Sequence, residues 1–261
     1  MKGNTIDYMR KWVFFVSVLA VTGLLAGVLS VASPTPEDTT VTRVEYPALA
    51  AHRGGGIVNP EATVEAFRDI RDNYPGMLIE FDVHQLKDGA LVIWHDTNVD
   101  GVLVKNMTTA QWKKVRVPRP VGGGSVPAPF LNEVLTEFGN TDVTLVIELK
   151  PNEAISAFIE ALWPYRSNII TQTFTAASTS VLVRSGFKAM QLSSSYVPPI
   201  VPGAYAVGVK HTLITPDNIQ NVHNAGQYMW AWTVDDQTRM TELFNMGVDG
   251  VMSNDPRLEV M

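Results

Sequence analysis

Along most of this chain, short runs of β-branched and other apolar residues alternate with amphipathic stretches of helical period. The apolar runs predict nine strands, at 48–52, 77–84, 90–95, 143–150, 169–174, 189–192, 204–209, 228–234 and 250–252. The amphipathic stretches predict helices at 62–73, 152–163, 175–185, 215–225 and 237–246. Because parallel strands need long crossover connections, this alternation predicts a parallel sheet covered by helices.

The number of strand and helix units narrows the α/β fold class. About eight units in roughly 220 residues is the size of a (β/α)8 barrel of the TIM type, which leaves one of the nine strands outside the barrel. An open, doubly wound sheet is the alternative, but no Gly-x-Gly-x-x-Gly pattern follows the first strand. Residues 97–130 are predicted to be irregular, with a loop rich in proline and glycine at 116–124.

The amino-terminal segment has a different character. Residues 12–32 form a run of 21 residues without a charge, preceded by Arg10 and Lys11. A run of this length can cross a bilayer as one hydrophobic helix, and the basic flank favours export of the remainder out of the cytoplasm. Because Ser-Val-Ala at 30–32 fits a signal peptidase site, both a retained anchor and a cleaved signal stay open. The predicted organisation is a membrane anchor or signal at 1–33, a linker at 34–44 and a barrel domain at 45–261.

Composition excludes several classes of protein. The chain has no cysteine, which rules out disulfides, zinc ribbons and a thiol nucleophile, so any metal must be bound by oxygen or imidazole. The formal net charge of -6 argues against nucleic acid as a partner, because binding to the phosphate backbone needs clustered Lys and Arg. The hydrophobic fraction of 46% is that of a folded domain with a core.

Two predicted strands carry charged residues at alternate positions. Glu80 and Asp82 stand at i and i+2, as do Glu148 and Lys150, and a strand projects such pairs to one face. Neighbouring buried carboxylates require a proton or a cation. For either strand alone, a structural ion pair explains the pattern equally well, but two such strands together favour a metal site. Three carboxylates suit one divalent cation, Mg²⁺ or Ca²⁺.

Two histidines stand at the ends of predicted strands. His52 ends the strand 48–52 and His95 ends the strand 90–95, and strand ends in a barrel face the active site. Imidazole titrates near neutral pH, so this pair suits a general acid and a general base in either order. Arg53 offers a planar guanidinium for phosphate oxygens, and the glycines that follow it are predicted to let the backbone approach a ligand.

The order of motifs in this sequence resembles that of the glycerophosphodiester phosphodiesterases. The matching motifs are His-Arg-Gly at 52–54, Asn-Pro-Glu-Ala-Thr at 59–63, Glu-Phe-Asp-Val at 80–83, Asp-Gly at 88–89 followed by His-Asp at 95–96, Glu-Leu-Lys at 148–150, Trp-Thr-Val-Asp at 232–235 and Gly-Val-Asp-Gly-Val at 247–251. The resemblance implies a barrel of the phosphatidylinositol-phospholipase type that hydrolyses glycerophosphodiesters to glycerol 3-phosphate and an alcohol. By position it implies His52 and His95 as the acid and base, Glu80, Asp82 and Glu148 as metal ligands, Arg53 and Lys150 as phosphate contacts, and Glu61 and Trp232 as pocket residues.

Three positions depart from the family pattern. Ala62 stands where the family has asparagine, residues 97–101 lack the Arg-Thr that commonly follows the His-Asp pair, and Asn254 interrupts the closing Thr-Asp. These departures fall on expected substrate contacts and leave the catalytic residues intact.

Other functions remain as alternatives to this interpretation. A sphingomyelinase D-like enzyme shares the barrel, but such enzymes are typically disulfide-bonded and this chain has no cysteine. A lysophospholipase D-like enzyme acting on a lysophospholipid stays open, because the amino-terminal segment would hold the barrel near a membrane. A non-catalytic binding barrel is disfavoured, since every titratable residue that the chemistry needs is present.

Overall fold

The computed structural model describes residues 44–150 and 155–259. The predicted membrane segment at 1–33 and linker residues 34–43 lie outside the described residues. Among the helices of the described part, none combines the length and the apolar character needed to cross a bilayer.

Strands and helices alternate through the described chain. The strands are β1 Ala48–Ala51, β2 Leu78–Gln85, β3 Leu91–Ile93, β4 Asn98–Val99, β5 Val102–Leu103, β6 Arg116–Pro118, β7 Ser125–Pro127, β8 Leu145–Leu149, β9 Ile169–Thr173, β10 Lys188–Ser193, β11 Ala206–Lys210, β12 Tyr228–Trp232 and β13 Gly250–Ser253. The α-helices are α1 Val64–Asn73, α2 Thr109–Trp112, α3 Leu131–Phe138, α4 Ile155–Leu162, α5 Ala176–Arg184, α6 Pro216–Asn224 and α7 Gln237–Asn245.

Eight of these strands form a closed parallel barrel. Their order is β1-β13-β12-β11-β10-β9-β8-β2, and β1 also pairs with β2 through Ala50 and Leu78, which closes the ring. The ninth strand of this sheet, β3, is antiparallel to β2 and lies outside the barrel. The TIM-type barrel with one additional strand is therefore confirmed, and the open doubly wound sheet is excluded.

Helices cover most of the barrel, as expected. The predicted helices correspond to α1, α4, α5, α6 and α7, whereas α3 was not predicted. Residues 194–205 connect β10 to β11 without a helix. Side-chain caps fix where several helices begin, because a side-chain oxygen of the residue before the helix accepts a backbone N–H of the first turn. The capping residues of this kind on α1, α5, α6 and α7 are Thr63, Thr175, Thr215 and Asp236.

The segment predicted to be irregular contains short elements with a core of their own. Between β3 and α3 the chain forms the β4–β5 and β6–β7 hairpins and the short helix α2. An apolar cluster supports them, in which Trp112 is fully buried. The loop predicted at 116–124 is thus partly wrong, because β6 occupies its first three residues and pairs with β7.

Apolar side chains fill the amino-terminal part of the barrel interior. The inward-facing cluster includes Leu78, Val146, Ile170, Met190 and Trp230. A Cβ atom at Gly250 would overlap the Trp230 ring, so glycine is required beside this large side chain. Tyr46 stacks on Tyr228 with ring centroids 4.3 Å apart, and its hydroxyl lies 2.6 Å from that of Tyr205. On β2 and β8 the next inward positions, two residues further along each strand, carry the acidic residues.

Candidate active site

Three buried carboxylates lie side by side at the carboxyl end of the barrel. Glu80 and Asp82 are on β2, Glu148 is on β8, and Asp82 is directly paired with Glu148 in the parallel register. One carboxylate oxygen from each lies within 4.8 Å of the others. Their residues are only 1%, 1% and 5% exposed. The prediction that the i and i+2 positions share one face is confirmed.

Two hydrogen bonds hold Glu80 in place. The backbone N–H of Arg53 donates to Glu80 Oε2 at 3.0 Å, and Gln172 Nε2 donates to Glu80 Oε1 at 2.7 Å. Gln172 was not identified from the sequence. Its signal is a polar side chain two residues after Ile170 on β9, and therefore on the same inward face, in register with Glu148. Burial, followed by the charge of Asp82, raises the pKa of Glu80 well above its usual value.

Lys150 lies between the other two carboxylates. Its Nζ is 3.0 Å from Asp82 Oδ1 and 3.1 Å from Glu148 Oε1. Burial alone would raise the pKa of Asp82, but the Lys150 ammonium, with smaller effects from His95 and Arg53, lowers it below its usual value. Burial and the Asp82 charge raise the pKa of Glu148 to about 8. Burial lowers the pKa of Lys150, but both carboxylates outweigh it, so the net shift is upward.

The donor set of this cluster fits a hard divalent cation. Asp82 Oδ2 is buried without a hydrogen-bond partner among the described residues, and the buried Glu148 Oε1 faces the Lys150 ammonium at 3.1 Å. Buried oxygens of this kind are costly unless they are hydrogen-bonded or coordinate a metal. Glu80, Asp82 and Glu148 could hold one ion, and their oxygens suit Mg²⁺ and Ca²⁺ alike.

His52 directly follows β1 and faces the carboxylate cluster. Its Nε2 is 3.9 Å from Glu80 Oε2, and its Nδ1 is 2.7 Å from Asn254 Oδ1. Burial, with a smaller contribution from the Arg53 charge, lowers the pKa of His52. The ring is therefore neutral at neutral pH. Asn254 was noted in the sequence only as a departure from the family pattern, and its contact with His52 was not foreseen.

His95 approaches the cluster by a route that differs from the prediction. It follows β3, which is not a barrel strand, so the two histidines do not stand at equivalent barrel-strand ends. The chain leaves the end of β2, turns and returns antiparallel, and the backbone N–H of Trp94 donates to the backbone carbonyl oxygen of Asp82 at 3.1 Å. This return places His95 near Asp82, where its charge influences that carboxylate. His95 Nδ1 is 2.8 Å from Asp96 Oδ1.

Arg53 connects the cluster to a pocket residue. Its Nη1 donates to Glu61 Oε1 at 2.9 Å, and its Nε lies 4.0 Å from Asp82 Oδ2. Its φ of 53° is in the left-handed region, which is uncommon outside glycine and is found at functional sites. Glu61 and His95 line a cavity of about 340 Å³. The structure thus places Glu61, a predicted pocket residue, in contact with the predicted phosphate ligand Arg53.

A second cavity also borders His95. It has a volume of about 430 Å³, and His95, Glu148, Lys150 and Phe174 are among its lining residues. Trp232 packs edge-on against Phe174, with ring centroids 5.7 Å apart. Phe174 was not singled out in the sequence. A larger groove of about 790 Å³ lies outside the barrel between α3 and α4 and includes none of the predicted site residues.

Two of the glycines after Arg53 are required by the packing of the loop that they form. A Cβ at Gly54 would lie 2.9 Å from the Cβ of Ala66, and one at Gly55 would lie 2.9 Å from the Pro256 ring. These glycines therefore allow the loop to pack against α1 and the carboxyl-terminal segment. The prediction that the glycines after Arg53 let the backbone approach a ligand stays a prediction, and Gly56 is among the residues that line the cavity with Glu61 and His95.

We expect Gly54→Ala to lower the free energy of unfolding by about 2–4 kcal/mol, because the new methyl group adds overpacking to the strain of its φ of +75°. Two controls separate these causes. Gly101 has a φ of +81° and open space, so Gly101→Ala should cost about 1 kcal/mol from strain alone. Gly56 has no positive φ, and its Cβ would meet nothing nearer than 3.5 Å, so Gly56→Ala should be near neutral. Urea unfolding of the three variants provides the measurement, and equal losses in all three would contradict the packing role.

Comparisons with known proteins agree with this geometry. The model of the Glycerophosphoryl diester phosphodiesterase family matches residues 52–258. The chain is 27% identical over 233 residues to a glycerophosphodiester phosphodiesterase of Caldanaerobacter subterraneus subsp. tengcongensis, which covers 80% of this chain and 94% of that protein. It is 28% identical over 134 residues to a lysophospholipase D of Homo sapiens, with 46% of this chain and 42% of that protein covered.

Solved structures show the same fold. A phosphodiesterase of Oleispira antarctica, solved in complex with the product sn-glycerol-3-phosphate, superposes with a TM-score of 0.67 at 22% sequence identity. The match covers 81% of this chain and 94% of that one. The family match spans seven of the eight barrel strands, β2 and β8 to β13, together with the acidic cluster and both histidines. The chain therefore belongs to the glycerophosphoryl diester phosphodiesterase family of phosphoric diester hydrolases.

Proposed function

We propose that this protein hydrolyses glycerophosphodiesters to glycerol 3-phosphate and an alcohol, with a divalent cation and a pair of histidines. The observation that carries the proposal is the cluster of Glu80, Asp82 and Glu148, whose oxygens lie within 4.8 Å of one another beside His52. Cationic side chains border the same cluster. This combination suits an anionic substrate whose reaction gathers negative charge.

Each group near the phosphate has a distinct task in the proposal. Glu80, Asp82 and Glu148 would hold one Mg²⁺ or Ca²⁺, which when bound would offset the charge that develops on the nonbridging oxygens. Arg53 and Lys150 would bind and orient the phosphate oxygens, since their cationic groups lie next to Asp82. Trp232 and Phe174 would form an apolar wall beside the substrate.

The surroundings of the two histidines suggest how their roles divide. His52 Nδ1 faces an oxygen of Asn254, so Nδ1 carries the hydrogen and the neutral ring has its lone pair on Nε2. His52 would take the proton of the nucleophile, either water or the neighbouring hydroxyl of the substrate, as the new bond to phosphorus forms. His95, next to the Asp96 carboxylate, would donate a proton to the alkoxide as its bond to phosphorus breaks. With the hydroxyl as nucleophile, this step leaves a cyclic phosphate, and water would then open that ring to give glycerol 3-phosphate.

A substrate assay tests the proposal directly. The full chain in detergent is expected to release glycerol 3-phosphate from glycerophosphocholine, and a chelator should abolish the release because the three carboxylates require an ion. Restoring Mg²⁺ and Ca²⁺ separately, with enzymatic detection of glycerol 3-phosphate, identifies the better ion. Undiminished release in the presence of the chelator would contradict metal dependence, and no release with either ion would contradict the substrate class.

A lysophospholipase D activity is the second candidate. It is favoured by the similarity to the human lysophospholipase D and by the uncharged run at 12–32, which we propose anchors or exports the barrel outside the cytoplasm at a membrane. The same assay with lysophosphatidylcholine distinguishes the two substrates. Binding of either compound without turnover would instead identify a non-catalytic barrel.

A further inference from the structure

A chain of hydrogen bonds runs away from the active site behind His52. Asn254 Oδ1 accepts from His52 Nδ1 at 2.7 Å, and Asn254 Nδ2 donates to Asp235 Oδ2 at 2.8 Å. Asp235 Oδ1 in turn accepts the backbone N–H of Asn254 at 2.7 Å and the hydroxyl of Ser253 at 3.1 Å. Asp235 is therefore held against residues 253 and 254 by three hydrogen bonds, although the residue is exposed.

The Asp235 carboxylate decides which way the Asn254 carboxamide points. An ionised carboxylate only accepts hydrogen bonds, so the atom of Asn254 that faces Asp235 must be the NH₂ group. If the carboxamide were turned over, its oxygen would face the carboxylate oxygen at the same short separation and would be repelled. With the NH₂ group directed to Asp235, the carboxamide oxygen is left to face His52 Nδ1.

The orientation of Asn254 then selects the tautomer of His52. An oxygen acceptor at Nδ1 requires a hydrogen on Nδ1, which leaves Nε2 as the unprotonated nitrogen of the neutral ring. Nε2 is the nitrogen on the side of the carboxylate cluster, 3.9 Å from Glu80 Oε2. We propose that Asn254 and Asp235 are positioning residues, and that Asp235, without touching His52, fixes the His52 tautomer in which Nε2 can accept a proton from the nucleophile.

This inference deepens the proposed function, because it concerns the base of that reaction, but its main test does not require turnover. Long-range proton–nitrogen correlation spectra at about pH 8 report which ring nitrogen of a neutral histidine carries hydrogen. The chain has 5 histidines, so the His52 signals are assigned by their loss in His52→Gln. The wild-type protein is expected to show hydrogen on Nδ1, and hydrogen on Nε2 would overturn the proposal.

Asp235→Asn is the decisive variant. Its Oδ1 can still accept from Ser253 and from the Asn254 backbone, but an NH₂ group would now face the NH₂ group of Asn254. The Asn254 carboxamide should turn over and present its NH₂ group to His52 Nδ1, which moves the hydrogen to Nε2. We expect the tautomer signals to invert and kcat on the diester to fall on the order of 10- to 100-fold, with less change in KM.

Exchanging the two side chains provides the rescue. In the double variant Asp235→Asn with Asn254→Asp, the new amide at 235 donates to the new carboxylate at 254, whose other oxygen can accept from His52 Nδ1. Asn254→Asp alone places its new carboxylate against that of Asp235, at the short separation that a hydrogen bond spans in the wild-type protein. Its kcat should therefore be lower than that of the double variant. The double variant is expected to regain the Nδ1 tautomer and to recover kcat to within about fivefold of wild type.

Asp236→Asn is the matched control. It removes the same charge from the adjacent position, and asparagine preserves the cap on α7 because Asn and Asp cap helices equally well. It should leave the tautomer and kcat unchanged. The proposal fails if Asp236→Asn reproduces the effects of Asp235→Asn, if Asp235→Asn keeps hydrogen on Nδ1, or if the exchange does not restore it. If the tautomers behave as expected but no variant or wild-type protein hydrolyses a diester, the proposed function fails and the positioning role stands.

Discussion

Replacing His52 or His95 with alanine is expected to lower kcat by about 100-fold to 10,000-fold, with a much smaller change in KM. Each imidazole would transfer a proton that moves in the transition state, and general acid–base catalysis contributes an effect of this size. Both proton transfers accompany the same displacement at phosphorus. We therefore expect kcat to fall by a similar factor in the two variants. Steady-state rates of glycerol 3-phosphate release provide the measurement.

A histidine away from the cluster serves as the control. His223 Nε2 lies 2.7 Å from Asp249 Oδ2 and not at the carboxylate cluster, so His223→Gln should change kcat by less than about twofold even if it lowers stability. Circular dichroism of all three variants establishes that they remain folded. A near-normal rate in His52→Ala or His95→Ala would remove that residue from the mechanism.

The ion-free protein is expected to become less stable as the pH rises from about 6.5 to about 8. Glu80 and Glu148 have raised pKa values in the folded state, so in this interval the folded protein retains protons that the unfolded chain has released. The free energy of unfolding therefore falls as these groups ionise. Below about pH 6.5 the lowered pKa of His52 acts in the opposite direction, whereas the lowered pKa of Asp82 matters only in stronger acid.

For Glu148 alone, this interval of about 1.5 pH units corresponds to about 2 kcal/mol, or roughly 4–8 °C in Tm. Added Mg²⁺ or Ca²⁺ should raise Tm more at pH 8 than at pH 6.5. The cation must displace the protons of Glu80 and Glu148 in order to bind, and fewer of these protons remain at the higher pH. Glu148→Gln should flatten the pH dependence in the presence of a chelator, whereas Glu160→Gln on α4, outside the cluster, should not. Calorimetry at several pH values tests this, and a Tm that rises from pH 6.5 to 8 without an ion would contradict the assignment.

The features that were predicted from the sequence depend on local periodicity. The alternation of inward and outward residues is built into each strand, so the spacing of Glu80 and Asp82 is enough to place them on one face. The same periodicity located the barrel strands and the helices α1 and α4 to α7. Helix α3 was missed because it follows directly on a segment interrupted by prolines and glycines.

The remaining features depend on contacts between residues distant in sequence. Asn254 meets His52 across 202 positions, because closure of the barrel brings β13 beside β1. Gln172 meets Glu80 across 92 positions through the neighbouring strand β8. His95 was expected in the correct region for an incorrect reason, since an antiparallel return and not a barrel strand carries it there. Periodicity alone contains none of this information.

Because apolar side chains fill the barrel, the carboxylate cluster can be reached from the carboxyl end of the barrel only. Leu78, Val146 and Trp230 occupy the interior beneath it, and the packed rings of Tyr46 and Tyr228 close the far end. Since these described residues block the way through the barrel, the proposed substrate would enter, and both products would leave, on the side of the cluster. In the proposed reaction, the product that keeps the phosphate retains the group that Arg53 and Lys150 would bind, so we expect it to compete with the next substrate for the same site.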